Sequence, residues 1–327
     1  MDRFGRVACY ARPIQIADGV RATFFDAGHI LGSASVFLEL EERHRRQSLL
    51  FSGDLGANAR PLMRDPAPPS VADVVVMETT YGDRSHKALE PSVAELYAAI
   101  KDTFSRGGNV IIPTFALERA QELLFCLRQG VEAGALPAAM QVFLDSPMAI
   151  SATEIFRRHP DCYEPEVQAL FRDVRDPFAL QGLHFTRETA ASIALIRVAG
   201  GGVILAGSGM CTGGRVLHHL KHNLWRRDSS IVFVGFAARG TPARRIIDGA
   251  SSIRLFREDI PVRAAIYTIG GFSAHADRDE LLAWWQATGV PRRTILVHGD
   301  PAAMQAFAGH LAGTDVRMPQ LHEIVDL

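Results

Sequence analysis

At 327 residues the chain has material for about two domains of the usual ~150 residues. With 47% hydrophobic and 22% charged residues it falls among ordinary globular proteins, which excludes a disordered or fibrous chain. Its formal net charge of -1 excludes a global positive field, so a nucleic-acid partner has to be met by a local basic groove.

Met1-Asp2-Arg3-Phe4-Gly5-Arg6 has neither the basic nor the apolar region of a signal peptide. The most apolar long window, Ala190 to Met210, is broken by Arg197 and Gly200-Gly201-Gly202 and is not a membrane span. Cys9, Cys126, Cys162 and Cys211 form no CxxC pair and read as reduced. The expectation is a cytoplasmic protein with no membrane contact.

Val20 to Phe51 alternates like neighbouring strands of one sheet: Thr23-Phe24-Phe25, then Val36, Leu38 and Leu40, then Leu49-Leu50-Phe51. Within it lies Asp26-Ala27-Gly28-His29-Ile30-Leu31-Gly32-Ser33-Ala34, where glycines flank a histidine and permit close approach of the backbone to something bound. That stretch alone fits a turn around a buried imidazole as well as a ligand. Glu41 to Gln47 reads as a solvated hairpin loop. The apolar run to Phe51 ends in Ser52-Gly53-Asp54-Leu55-Gly56, and the run Val74 to Met77 ends in Glu78-Thr79-Thr80-Tyr81-Gly82.

Past about Arg84 the pattern changes. Pro91 to Phe104 predicts a helix, with Ser92 and Glu95 as a capping-box signature and Gly107-Gly108 as its stop. Strands at Val110, Val142, Val203 and Ile231 then alternate with helices at Glu118, Ile150, Arg215 and Pro242, which predicts a parallel sheet with helices on both faces. From Val262 the strand-to-polar pattern returns. Strand Ala265 to Ile269 leads into Gly270-Gly271-Phe272-Ser273-Ala274-His275, helix Glu280 to Thr288 follows, and strand Thr294 to Val297 ends in His298-Gly299-Asp300. The expected domains are residues 1–84 and 262–327 as two parts of one domain, with 85–261 inserted as an α/β module.

His29, Asp54, Glu78, His275 and His298 each follow an apolar run beside a glycine or small residue, where open sheets place functional groups. Imidazoles with a carboxylate are the donors zinc takes when a position is kept open for water. Gly207-Ser208-Gly209-Met210-Cys211-Thr212-Gly213-Gly214-Arg215 links a strand to a helix; its amides and Arg215 suit a phosphate, and a tight glycine turn explains it equally. Arg226-Arg227, Arg244-Arg245 and Arg292-Arg293 read as solvated faces, and Trp284-Trp285 as at least partly core.

The strings DAGHILGSA, SGDLG, METTYGDR, IPTFALERAQELL, LDSPMA, GSGMCTGGR, GFSAHAD and LVHGD, in this order over essentially the whole chain, resemble the β-CASP branch of the metallo-β-lactamase fold. That branch comprises zinc-dependent nucleases, among them bacterial and archaeal RNases and the eukaryotic pre-mRNA 3'-end cleavage factor. The resemblance implies an α/β protein, a metallo-β-lactamase αββα sandwich with an inserted β-CASP domain. It makes His29 and His298 ligands of different zinc ions and Asp54 the carboxylate bridging them. Glu78 and His275 become a hydrogen-bonded pair beside the leaving-group oxygen, and Ser208, Gly209, Thr212 and Arg215 become substrate contacts. Histidine at 298, where the DNA-repair members have an aliphatic residue, favours RNA. Single-stranded RNA is the expected partner; a homodimer is an open option, the sequence leaving the oligomeric state undetermined.

The family's HxHxDH motif, which supplies most ligands of both ions, has no counterpart among the twelve histidines. His29, Asp54 and His298 are too few for two sites of about four ligands each. The expectation is therefore a ribonuclease represented without its N-terminal metal motif and weakly active or inactive as it stands. The alternative is a non-catalytic RNA-binding or scaffold paralogue, with a DNA nuclease behind both.

Overall fold

The computed structural model describes residues 5, 7–43, 45–173 and 175–326. All of the stretch read for a signal peptide except Gly5, and His44 of the predicted loop, lie outside the described residues. The chain divides into two compact units, Met1–His86 with Ala274–Leu327, and Lys87–Ser273. Among the described residues no helix is long and apolar enough to cross a membrane.

The first unit holds a seven-stranded sheet whose spatial order follows the sequence: Ile14–Ala17, Val20–Asp26, Ala34–Glu42, Arg45–Phe51, Val74–Glu78, Arg293–Val297 and Asp315–Arg317. The first four strands pair antiparallel and the rest join in parallel. Helices Arg278–Ala287 and Pro301–Ala308 supply Leu281, Trp284, Trp285 and Phe307 to a core shared with Leu50, Val75, Met77 and Leu296. Both tryptophans are buried, and Trp285 Nε1 donates to Thr294 Oγ1 at 2.9 Å. Each large apolar side chain so buried contributes about 1.5–3 kcal/mol. The predicted loop from Glu41 to Gln47 is mostly strand: Glu41 pairs with Arg46 and Glu42 with Arg45, because opposite charges face each other across the ladder.

The second unit holds a six-stranded, all-parallel sheet. Gly202–Ala206 and Ser230–Val234 are buried at every position, as strands covered on both faces must be. Two expectations are corrected here. Strand Ala265–Ile269 pairs with Ser230–Val234, so the second boundary falls after Ser273 and not at 261. The capping box on Ser92 and Glu95 does not form. The helix Leu89–Ser105 starts two residues before Pro91, which is tolerated in the first turn; Ser92 Oγ donates to the Ala88 carbonyl, and Glu95 pairs with Lys87. A two-stranded hairpin, Ser252–Leu255 with Glu258–Pro261, completes the unit.

Candidate metal and acid–base centre

Strands Val20–Asp26, Arg45–Phe51, Val74–Glu78 and Arg293–Val297 run in one direction, so their C-terminal ends share one edge of the sheet. His29, Asp54, Glu78 and His298 sit at those ends. His275 joins them through an antiparallel bridge to Gly56, flanked by hydrogen bonds from Ala57 N to Ala274 O and from Ala276 N to Leu55 O.

The local chemistry explains each placement. After Asp26 the chain turns sharply: Asp26 Oδ1 accepts from Gly28 N, Gly28 has φ +66°, and Ser33 Oγ accepts from the amides of His29 and Ile30. Gly56 lies directly on this turn, donating to Ala27 O; a Cβ there would stand 2.0 Å from the Gly28 carbonyl oxygen. Glu78 is 1% exposed. Its carboxylate accepts from Leu55 N at 2.7 Å, Thr80 N at 3.3 Å and His275 Nδ1 at 2.9 Å. Burial pushes its pKa up, but the bonds from His275, Thr80 and Leu55 prevail and hold it below the ordinary carboxylate range. An ionised carboxylate only accepts, so His275 carries a proton on Nδ1 and presents Nε2 as its reactive nitrogen.

Asp54 turns one oxygen to each of two imidazoles: Oδ2 is 3.9 Å from His29 Nε2, and Oδ1 is 3.3 Å from His298 Nδ1. The His275 ring stands between them, its centroid 4.3 Å from that of His29 and 5.7 Å from that of His298. Donor atoms of His29, Asp54 and His275 lie within 4.8 Å of one another, as do those of Glu78, His275 and His298. Imidazole with carboxylate suits zinc and similar divalent ions, so the donor chemistry fits a metal. Burial, then repulsion from His275, lowers the His29 pKa, which favours the neutral imidazole that ligation needs. His298 holds a left-handed φ of +49°, with Thr80 Oγ1 donating to its carbonyl at 3.2 Å and standing 3.2 Å from its Nδ1.

All five strand-end residues named from the sequence thus share one centre in the first unit. The glycine-rich stretch lies in the second unit and is less available than its sequence implies. The amides of Ser208, Cys211 and Thr212 are spent inside the loop, on Gly213 O, Ser208 O and Ser208 Oγ. Arg215 does not offer a free charge. Its guanidinium donates to Asp145 Oδ1, Thr186 O and Arg187 O, because Asp145 is fully buried and needs a cation. One arginine of each pair is likewise engaged: Arg226 with Asp228, Arg244 with Asp248, Arg293 with Asp315.

Two contributors escaped the sequence. Thr80 bridges Glu78 and His298, and His86, whose ring packs on Tyr81 at 4.2 Å, holds the His275 carbonyl at 3.0 Å from its Nε2. Their one signal was their place just after Glu78.

The chain matches two family models, the Beta-Casp domain over residues 120–246 and the Zn-dependent metallo-hydrolase RNA specificity domain over residues 259–319. It is 41% identical over 321 residues to Ribonuclease TTHA0252 of Thermus thermophilus, covering 96% of this chain and 72% of that protein. It is 30% identical over 310 residues to an RNase J-like protein of Methanocaldococcus jannaschii, covering 91% and 68%. Against the transcription termination factor FttA of the same organism the identity is 32% over 313 residues, with 91% of this chain and 48% of that protein covered.

Proposed function

Since the chain belongs to the β-CASP family of metallo-β-lactamase-fold RNA nucleases, we propose that its centre serves zinc-dependent hydrolysis of phosphodiester bonds in single-stranded RNA. The observation that carries this reading is Asp54, whose two oxygens face His29 and His298, with the Glu78–His275 pair alongside.

In this reading His29, Asp54 and His298 would hold zinc, Asp54 turning one oxygen toward each histidine. Bound zinc supplies Lewis acidity to the phosphate and lowers the pKa of water toward neutrality. Glu78 fixes the His275 ring through Nδ1 and stabilises its charged form. His275 Nε2 then delivers a proton to the departing ribose oxygen. Ser208, Gly209 and Thr212 are read as phosphate contacts in the second unit, supported by the exposed Thr212. Arg215 is read as a positioning residue that anchors their loop.

Three metal donors are fewer than two four-coordinate ions require. We therefore expect the 327-residue chain alone to bind zinc weakly and to cleave RNA weakly or not at all. The short donor set also favours a second reading, an RNA-binding chain without hydrolysis. Metal content and cleavage of matched RNA and DNA oligonucleotides test both. In a metal-replete, cleaving form, His275→Ala should lose about 100-fold or more in rate while keeping its metal. Wild-type rates in that variant would remove His275 from the chemistry. Tight binding of two zinc ions by the chain alone would refute the incomplete centre.

A further inference from the structure

The hairpin of the second unit closes with Leu255 opposite Glu258, so Phe256 and Arg257 form a two-residue tip. Both have left-handed φ, +49° and +69°. A type I′ turn demands this, and it strongly prefers Asn-Gly because a bulky residue is strained there. Asn-Gly would close the same hairpin at lower cost. Strain kept at such a place points to a use for the side chains.

Those side chains face outward. Phe256 is 47% exposed and Arg257 is exposed. The Phe256 ring lies against His218 of helix Val216–Asn223, centroids 4.6 Å apart and planes 30° apart, with Lys221 Nζ 6.0 Å from its centre. The hairpin's acids are already answered, Glu258 by Lys221 at 2.6 Å and Asp259 by Arg254 at 3.7 Å. Among the described residues Arg257 makes no ion pair, so the tip carries an uncompensated positive charge. An exposed ring with an imidazole against it, and an exposed arginine at the next position of the tip, is chemistry that stacks a base and neutralises a phosphate. The ring contacts seen at Phe256 are with an imidazole and, farther off, an ammonium, which suits a base more than the apolar centre of a protein interface.

We propose that this hairpin tip, with His218 and Lys221, is an accessory binding surface for single-stranded RNA, taking bases by stacking and without sequence preference. It rests on the RNA reading above and uses none of the residues of the metal centre. The test is fluorescence anisotropy of the full chain with labelled oligouridine, divalent ions chelated, beside thermal unfolding and sedimentation. Phe256→Asn with Arg257→Gly should weaken RNA binding about fivefold or more while leaving the melting temperature unchanged or higher. Phe256→Ala should weaken binding in the same direction. Unchanged affinity in the Asn-Gly variant, with the wild type binding, overturns the hairpin surface alone. A variant that changes oligomeric state with RNA affinity intact also overturns it, marking a protein contact. A wild type that binds no oligouridine overturns both this surface and the RNA reading.

Discussion

Glu78 shows how an ionised carboxylate is kept in an apolar sheet. An unpaired charge at 1% exposure would be prohibitive, and three donors from Leu55, Thr80 and His275 offset it. One of those donors is the Leu55 amide, so the position of Glu78 depends on the course of the chain beyond Asp54. Gly56 fixes that course. Its missing Cβ would meet backbone, the Gly28 carbonyl at 2.0 Å and His29 N at 2.9 Å, and backbone cannot swing aside as a flexible side chain can. Gly56→Ala is therefore expected to destabilise the fold by about 1–3 kcal/mol, read as a lower urea midpoint. A wild-type midpoint would mean that the His29 turn shifts freely.

At the scale of elements, the helix Arg278–Ala287 orients His275. Asp277 caps it in a full capping box: Asp277 Oδ1 accepts from the amides of Asp279 and Glu280, and Glu280 Oε2 accepts from Asp277 N. Asp277 Oδ2 also accepts from His86 N, while the His86 ring reaches the His275 carbonyl. One side chain thus ends a loop, starts a helix and ties down the segment beside His275. Asp277→Ala should cost about 1 kcal/mol, and Asp277→Asn clearly less, by chemical denaturation. Equal losses in both would show that the negative charge Asp277 presents to His86 N matters more than the cap. Ser92 and Glu95 carry the same local signature and form no cap, since their helix begins earlier, at Leu89.

At the scale of the molecule, the second unit is tied together by Asp145. It joins strand Gln141–Asp145 to Thr186, Ser192, Arg215 and His219, all within 2.6–2.8 Å. Burial pushes its pKa up, and the bonds from His219, Thr186 and Ser192 outweigh burial and bring it to about 2 from 3.8. A folded pKa below the unfolded one contributes stability that is present above pH 3.8 and is lost as the pH falls toward 2. Urea midpoints measured down that range should fall steeply in the wild type and less in Asp145→Asn, which is already weaker at neutral pH. Parallel pH profiles for the two would remove Asp145 from the acid response. Local pattern fixed much of this architecture in advance: hydrophobic period separates strands from helices, and glycines beside polar residues mark where apolar runs end, so His29, Asp54, Glu78, His275 and His298 were readable one by one. Their meeting was not readable from the strands alone. It depends on four strands sharing one direction, and pairing partners far apart in the chain leave no local trace. For the same reason only the tertiary structure decided that Ala265–Ile269 joins the second sheet, that Arg215 turns to Asp145 across seventy positions of chain, and that a strained tip holds Phe256 against His218.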